Sequence, residues 1–221
     1  MEQLNQLWLL VRKEILMEWR QKYAVGGILL YVFSSLFVVF FSFRDFSAIE
    51  VWKSVFWIIM LFASVNALTK SFVRESGSQQ LYMYQLAPPN LVFLSKWIYN
   101  VLLLFVIGVL TLGGLTVLSS DPPMRYLGLF FLIIFLGSVG FALVFTFLSS
   151  ISSKAGNSAT LMAILSFPVV LPILLTLLNV SGHALGSQVD TAYYKDLVIL
   201  LSIDVILGTL ILILFPYLWR D

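Results

Sequence analysis

Asp204 is the ionisable residue that lies deepest within an apolar stretch of this sequence, about 10 Å into it at helical rise. A carboxylate in hydrocarbon is costly unless it is protonated, paired or hydrated. One hypothesis makes Asp204 a gate, a substrate contact or a proton site. The other makes it a polar clasp between helices or part of a hydrated vestibule. The candidate partners at similar depth or at the rim are Ser34, Ser35, Thr111, Lys53 and Arg44.

Pro168 and Pro172 stand four residues apart in another apolar stretch. Each lacks a backbone N–H, and its ring clashes with the preceding turn, so the pair predicts a bend or a break in a helix. A membrane tolerates such a helix where neighbours or water satisfy the freed carbonyls. The pair therefore suits a helix that moves or lines a pathway, and equally a helix with a fixed kink.

His183 is the sole histidine, and it is a candidate axial ligand of haem iron or of a metal ion. A protein metal site usually needs several ligands, and no second ligand stands nearby in the sequence, so a solvated loop histidine is the simpler interpretation. There is no cysteine, which excludes disulfides, thiolate nucleophiles and zinc ribbons. The glycine-rich phosphate loop of ATPases is also absent. We therefore expect no enzyme and no ATP hydrolysis by this chain itself.

The composition places these residues in a membrane. Of the 221 residues, 60% are hydrophobic and 11% are charged, against about 25% charged in ordinary soluble domains. The net charge of +2 gives no support to nucleic-acid binding. Six stretches approach the roughly 20 apolar residues that a spanning helix needs. The sequence thus predicts one all-α integral membrane domain over residues 1–221, with six spans at 25–43, 51–69, 97–118, 126–149, 158–180 and 197–219.

The segment before the first span has an amphipathic pattern. Its apolar residues recur at helical spacing, which predicts an interfacial helix within residues 1–24, lying along the inner membrane surface. The alternative is a tail that faces the solvent. Nine of the 13 basic residues lie on the N-terminal side, so the positive-inside rule places both termini in the cytoplasm. The apolar stripe consists of Leu4, Leu7, Trp8, Val11, Ile15 and Trp19.

Two connections are longer than the others. The external one, 179–196, carries His183. The cytoplasmic one, 70–96, contains apolar anchors before Pro88, and a short helix with exposed aromatic residues suits a groove on another protein. The alternative is a loop that folds back against the membrane. The anchors of the cytoplasmic connection are Leu81, Tyr82, Tyr84 and Leu86.

These features together resemble the haem exporter protein B (CcmB) family over nearly the whole chain. One matching stretch is the charged segment from Lys13-Glu14 to Arg20, and the most specific is the proline pair in Phe-Pro-Val-Val-Leu-Pro at 167–172. Two departures are Gln79, where the family usually has glycine, and Tyr82, where it often has glutamate. The third matching stretch comprises Phe72, Glu75, Leu81, Leu86 and Pro88, followed by Lys96, and is shared with ABC-2 type permeases generally.

The resemblance implies a permease subunit of an ABC-type transporter for cytochrome c maturation in the bacterial inner membrane. It implies a separate CcmA-type ATPase that binds ATP, a second permease copy, and work with CcmC, CcmD and the haem chaperone CcmE. Haem is then the candidate substrate, or ATP hydrolysis drives release of the loaded chaperone. From their residue types and positions rather than from the resemblance, Pro168, Pro172 and Asp204 are the candidate gate or substrate path. The candidate coupling residues are Phe72, Glu75, Leu81, Tyr82, Tyr84 and Leu86.

Two alternatives remain at this point. An ABC-2 permease for a lipid, polysaccharide or drug fits the pattern of the cytoplasmic connection equally well, although the proline pair favours the haem family. A membrane scaffold that transports nothing is the second alternative. A continuous polar cavity in a dimer would argue against the scaffold.

Overall fold

The bundle consists of α-helices throughout the part of the chain that the structure describes. The computed structural model describes residues 2–20, 22–42, 48–69, 71–72, 87–119, 121–154, 158–186 and 192–220. Seven helices lie within these ranges. They are α1 (Glu2–Arg20), α2 (Lys22–Ser42), α3 (Ile49–Leu68), α4 (Pro89–Leu118), α5 (Leu127–Lys154), α6 (Ser158–Leu185) and α7 (Ala192–Arg220).

Five of these helices, α3 to α7, are long and apolar enough to cross a membrane. A helix satisfies its own backbone hydrogen bonds, which is why apolar stretches of this length fold as helices in lipid. The chain is therefore a multi-pass membrane protein, as the composition predicts. The apolar part of α2 is shorter than those of α3 to α7 and, within the described residues, covers Gly26–Ser42. The sixth span therefore stays a prediction.

Helix α5 lies at the centre of the bundle and packs against α3, α4, α6 and α7. Aromatic rings fill one side of this core: Phe130 of α5 lies 5.6 Å from Trp52 and 5.1 Å from Phe56 of α3, ring centre to ring centre. Helix α2 packs against α3 and α4, and α1 packs against α4 and α2. The short N-terminal helix thus contacts the bundle mainly through α4.

Glycine permits the closest helix contacts. A Cβ atom at Gly137 of α5 would lie 2.6 Å from Cη2 of Trp57, and one at Gly108 of α4 would lie 2.5 Å from Cγ2 of Ile134. Both distances are far below van der Waals contact. The backbones can approach this closely because the small residue leaves room for the facing side chain.

The helices extend beyond the predicted spans at several ends. Helix α4 begins at Pro89 rather than at residue 97, with the proline at a favoured first position. The predicted connection 70–96 is therefore shorter at its C-terminal end. Lys96, which set the predicted boundary, lies inside the helix. Similarly, α2 begins at Lys22, so the predicted interfacial segment 1–24 contains a separate helix that ends at Arg20.

The predicted external loop 179–196 is largely helical. Helix α6 continues to Leu185 and α7 starts at Ala192. The polar residues that suggested a loop have partners within the fold: Ser181, for example, accepts a hydrogen bond of 2.7 Å from Nε1 of Trp57. In the same way α5 runs on to Lys154, because Ser150 and its neighbours bond to carbonyls of their own helix.

Candidate functional site

A buried lysine joins several elements at the N-terminal end of the bundle. Lys96 of α4 is 1% exposed. Its Nζ lies 3.2 Å from Oε1 of Glu14 on α1 and donates a hydrogen bond of 3.1 Å to the carbonyl oxygen of Ser71. The ammonium also lies 5.1 Å from the ring centre of Phe72. A counter-charge, a carbonyl and an aromatic face together compensate for the loss of water around this charge.

A second set of polar contacts surrounds this lysine. One turn further along α4, Nδ2 of Asn100 donates to Oγ of Ser71 at 3.2 Å and to Oγ1 of Thr146 on α5 at 2.7 Å. Oγ of Ser149 accepts from the backbone N–H of Phe72 and donates to the carbonyl of Thr69, both at 3.2 Å. The chain that leaves α3 is thus bound directly by α4 and α5, and Lys96 links it to Glu14 of α1. We call this set the Lys96 cluster: Glu14, Thr69, Ser71, Phe72, Lys96, Asn100, Thr146 and Ser149.

Phe72 extends the Lys96 cluster to α7. Its side chain is buried, with its ring centre 5.8 Å from that of Phe215, which in turn lies 4.9 Å from Phe93. Phe72 was predicted to be one of the residues that couple the chain to an ATPase subunit, and this role stays a prediction. Because its ring is buried within the chain, it would act in coupling by anchoring the cytoplasmic connection.

The other predicted coupling residues fall outside the described part of the chain. Their role stays a prediction that rests on the sequence. These residues are Glu75, Leu81, Tyr82, Tyr84 and Leu86.

Asp204 lies near the middle of α7. Counted from Ala192 it is about 18 Å from the start of the helix, deeper than the 10 Å expected when the helix was predicted to start at 197. It is 6% exposed, and neither carboxylate oxygen has a hydrogen-bond partner among the described residues. Gly140 of α5 faces it: a Cβ there would lie 2.5 Å from Oδ1 of Asp204. The glycine leaves the room that the carboxylate occupies.

The partners predicted for Asp204 bond elsewhere. Ser34 donates to the carbonyl of Tyr31, and Thr111 donates to that of Ile107 within its own helix. Lys53 pairs with Glu50 at 2.7 Å. Of the other two candidates, Ser35 is not hydrogen-bonded to Asp204, and Arg44 lies outside the described residues. The clasp through Ser34, Thr111 or Lys53 is therefore wrong.

A cavity of about 300 Å³ lies between α4, α5 and α7, and Asp204 is among its lining residues, although both carboxylate oxygens are buried. The wall is almost entirely apolar. Its two other polar side chains are turned to backbone carbonyls, since Nε1 of Trp97 donates to Val139 at 3.4 Å and Oγ1 of Thr209 donates to Val205 at 2.7 Å. We call this cavity the Asp204 groove; its lining residues are Phe93, Leu94, Trp97, Leu136, Val139, Leu143, Leu201, Asp204, Val205, Gly208, Thr209 and Leu212.

The proline pair lies within an uninterrupted α6. The predicted break is therefore absent from the described helix. Pro168 and Pro172 are both exposed and neither lines the Asp204 groove. The hydroxyl of Thr176 donates to the carbonyl of Pro172 at 2.8 Å. The structure does not bring the prolines and Asp204 together in one cavity, and a part for the prolines in gating stays a prediction.

His183 belongs to the opposite end of the bundle. Its Nε2 lies 3.3 Å from Oδ2 of Asp196, and this contact joins α6 to α7. One residue further on, the carbonyl of Ala184 accepts from the backbone N–H of Tyr126 at 3.0 Å. Within the described ranges no three His, Cys, Asp or Glu residues come together as a metal site. Ligation of haem iron by His183 stays a prediction.

The comparison with protein families decides the identity of the chain. Residues 5–217 match the family described as CcmB protein. The chain belongs to the CcmB family. No curated protein matches it, and no solved structure matches it.

Membership of the CcmB family confirms the resemblance seen in the sequence. A CcmB protein is a membrane permease component of haem export in cytochrome c maturation. It is a transporter subunit rather than an enzyme by itself, and the family implies association with an ABC transporter system of the same pathway. The match therefore favours haem export over the lipid, polysaccharide or drug permease.

Reasoning from the sequence alone missed the Lys96 cluster of this CcmB chain. Glu14 and Lys96 are 82 positions apart, and nothing local indicates that they meet. One signal was present: Lys96 and Asn100 stand four residues apart, so they share a helix face. Two such residues in an apolar helix require polar partners, and that face points at α1, α5 and the end of α3.

Proposed function

We propose that two copies of this CcmB chain form the membrane half of an ABC-type transporter whose ATP is hydrolysed by a separate CcmA-type subunit. The complex lies in the bacterial inner membrane, with six spans per chain and both ends of the chain in the cytoplasm. Helix α1 lies along the inner surface. The excess of basic residues on the N-terminal side supports this orientation.

The Lys96 cluster is the observation that carries the proposal. A transporter that uses ATP in one chain and moves cargo in another must pass movement through a cytoplasmic segment. The segment that follows α3 is held at its start by hydrogen bonds from α4 and α5 and by α7 through Phe72, and the ion pair of Lys96 with Glu14 links it to α1. A displacement of this segment would therefore reach four helices at once.

The cargo and partners follow the pathway of the family. The complex works with CcmC and CcmD and delivers to the haem chaperone CcmE. In one version haem itself crosses the membrane through the permease. In the other, ATP hydrolysis releases the haem-loaded chaperone from the complex. Both versions use the same cytoplasmic coupling.

Purification of the full chain from native membranes tests the complex. We expect a nucleotide-binding subunit to co-purify, together with the other subunits, and an absorption spectrum to show whether haem is retained. A chain that is recovered without any nucleotide-binding subunit would contradict the proposal.

Charge substitutions in the connection test the coupling. In the purified complex, Leu81→Glu and Leu86→Glu should leave ATP hydrolysis running while release of haem-loaded chaperone falls. The control is Asp121→Lys, an exposed position in the connection at the opposite end of the bundle, which should change neither activity. Normal chaperone release in both leucine variants would remove the assigned contact.

A further inference from the structure

We propose that Asp204 is a proton-dependent latch between α7 and α5. In the sealed conformation described above it is a neutral carboxylic acid, and it releases its proton to water when α7 separates from α5. The latch belongs to this chain alone, and only its drive by ATP rests on the transporter function proposed above.

Helix α7 packs on the bundle through one narrow stripe, and Asp204 lies within it. The buried residues of α7 are four or seven positions apart, so they lie on one face of the helix. Many of its other large apolar side chains are exposed, as expected for the lipid-facing side of a span. An ionisable group thus stands in the face that holds α7 in place. The buried stripe consists of Leu200, Asp204, Ile211 and Phe215.

The contact around Asp204 suits a neutral acid. A Cβ atom at Gly140 of α5 would lie 2.5 Å from Oδ1 of Asp204 and 3.3 Å from Cγ2 of Ile173 of α6, so three helices meet at this point. Both carboxyl oxygens are sealed and have no hydrogen-bond partner among the described residues. Without a donor or a counter-charge an ionised carboxylate is costly in such a place, and the neutral acid is the stable form.

The charged groups on the neighbouring helices do not compensate Asp204. No titratable side chain of α4 or α5 lines the groove beside it. The basic residues on the helices that pack against α7 are Lys96 of α4, which pairs with Glu14, His183 of α6, which contacts Asp196, and Lys154 at the end of α5. The contact between α7 and α5 therefore decides whether the carboxyl group keeps its proton.

Two features allow α7 to move. The Asp204 groove leaves about 300 Å³ of unfilled space beside the helix. At the end of the bundle that holds the Lys96 cluster, the ring centre of Phe215 lies 5.8 Å from that of Phe72, in the segment that follows α3. A displacement of this segment thus reaches α7 directly, roughly 16 Å along the helix from Asp204. Once α7 leaves Gly140, water reaches the carboxyl group, and its O–H bond breaks with transfer of the proton to water.

The latch makes the separation of α7 depend on pH. The sealed conformation retains a proton that the separated conformation releases, so a rise in pH favours separation. The ratio of separated to sealed chains should increase by up to about tenfold for each pH unit. With Asp204→Asn there is no proton to release, and the ratio should not depend on pH.

The chain has no cysteine, so single-cysteine variants report on one position each. Leu200, one turn before Asp204 on the buried stripe, is 0% exposed, whereas Val198, at nearly the same depth, is 62% exposed. The full chain in native membranes, carrying Leu200→Cys or Val198→Cys, is labelled with a lipid-soluble maleimide between about pH 6 and pH 8. Dividing the rate at position 200 by that at position 198 corrects for the reactivity of the thiol. This rate ratio should rise severalfold, up to about tenfold, per pH unit.

Two further variants separate the latch from general loosening of the helix. In the Asp204→Asn background the rate ratio should be low at every pH. Gly140→Ala places a methyl group where Oδ1 of Asp204 lies, so it should raise the ratio at least about fivefold while the dependence on pH remains. The matched control is Gly113→Ala, where a Cβ meets nothing within 4 Å and the ratio should not change.

Several results would overturn the latch. A rate ratio that does not change with pH in the chain that carries Asp204 would do so. An equal rise in the Asp204→Asn background would mean that another group titrates. Fast labelling of position 200 at every pH in that background would show that the carboxyl group is a structural clasp, without which the helices separate.

The drive by ATP is tested separately, in the purified complex with its nucleotide-binding subunit. ATP hydrolysis should raise the rate ratio at constant pH. An unchanged ratio during normal release of loaded chaperone would remove the drive by ATP, whereas the dependence on pH without ATP would still support the latch. Failure to recover a nucleotide-binding subunit would contradict the proposed function and not the latch.

Discussion

At the residue scale, two buried charges in this CcmB chain have opposite surroundings. Lys96 has a carboxylate, a carbonyl and an aromatic ring as partners, and its removal would leave Glu14 without its closest counter-charge. Asp204 fills the room beside Gly140 and has no hydrogen-bond donor among the described residues. The first arrangement is typical of a residue that holds elements together. The second is typical of one kept for function at a cost in stability.

Replacement of Lys96 should therefore destabilise the bundle. Lys96→Met keeps the length of the side chain but removes the charge, and we expect a loss of about 3 kcal/mol in the free energy of unfolding, because a carboxylate that is only 11% exposed loses its closest partner. Denaturant titration in detergent, monitored by tryptophan fluorescence, measures this loss of free energy. The matched control is Lys13→Met. Its Nζ lies 3.7 Å from the same carboxylate, but its side chain is 34% exposed, so the loss should stay below about 1 kcal/mol.

A double-mutant cycle identifies the partner of Lys96. Glu14→Gln alone should destabilise the chain, and it should add little once Lys96→Met is present, because the interaction has already been removed. Full additivity of the two changes would mean that the ion pair contributes nothing, and that the loss comes from packing of the lysine.

Replacement of Asp204 should have the opposite sign. Asp204→Asn keeps the shape and removes an ionisable group that has no hydrogen-bond partner among the described residues, so we expect the free energy of unfolding to rise by about 1–3 kcal/mol. Asp121→Asn, at an exposed position outside the helices, should leave stability unchanged. A clear loss of stability in Asp204→Asn would instead support the clasp hypothesis and indicate a structural partner.

At the element scale, α5 organises the bundle because glycine and small polar residues let four other helices reach it. Gly137 accommodates the buried ring of Trp57, and Gly140 accommodates Asp204. In contrast, a Cβ at Gly113 of α4 would meet nothing within 4 Å. Glycines in apolar helices of the same chain thus differ in what they do.

This difference predicts different outcomes for the same substitution. Gly137→Ala should destabilise by about 1–3 kcal/mol, because the new methyl group must displace a ring that is held by its hydrogen bond to Ser181. Gly113→Ala should be neutral or stabilising by up to about 1 kcal/mol, since alanine is the better helix former. Thermal unfolding in detergent compares the two. Equal effects at both positions would contradict the close contact.

Hydropathy was sufficient to predict the existence of the long helices but not all of their ends. For α3 the predicted span 51–69 differs from Ile49–Leu68 by two residues or fewer at each end. For α4 and α6 the predicted ends were set by Lys96 and by the polar residues after 180. Those residues lie within helices because partners distant in sequence, Glu14 and Trp57, satisfy them. A single sequence contains no local signal for such contacts.

At the scale of the whole molecule, polar contacts concentrate at the two ends of the bundle. The Lys96 cluster lies at the N-terminal end. At the other end, His183 contacts Asp196, and Trp57 contacts Ser181. The sequence indicated Asp204 and His183 as polar residues of interest from their rarity. It did not indicate which residues they meet, because that depends on helix rotation and on neighbours that are far away along the chain.

The number of spans depends on α2. The apolar part Gly26–Ser42 extends for about 25 Å, less than the roughly 30 Å of a hydrocarbon core, whereas the whole helix Lys22–Ser42 reaches about 32 Å. We therefore expect α2 to cross the membrane as the sixth span.

Single cysteines on either side of α2 test this expectation. In spheroplasts, a membrane-impermeant maleimide should label Ala48→Cys at once and Gln6→Cys only after permeabilisation, since both positions are exposed in the protein. Asp121→Cys, between α4 and α5, should be labelled with Ala48→Cys and fixes the outer side independently of α2. If α2 lay on the membrane surface instead, Gln6→Cys and Ala48→Cys would be on the same side of the membrane. Both would then be labelled before permeabilisation, or both only after it. Such a result would leave five spans. It would also place Lys96 and the N-terminal helix on opposite sides of the membrane. Because Glu14 of that helix contacts Lys96 directly, the ion pair favours six spans.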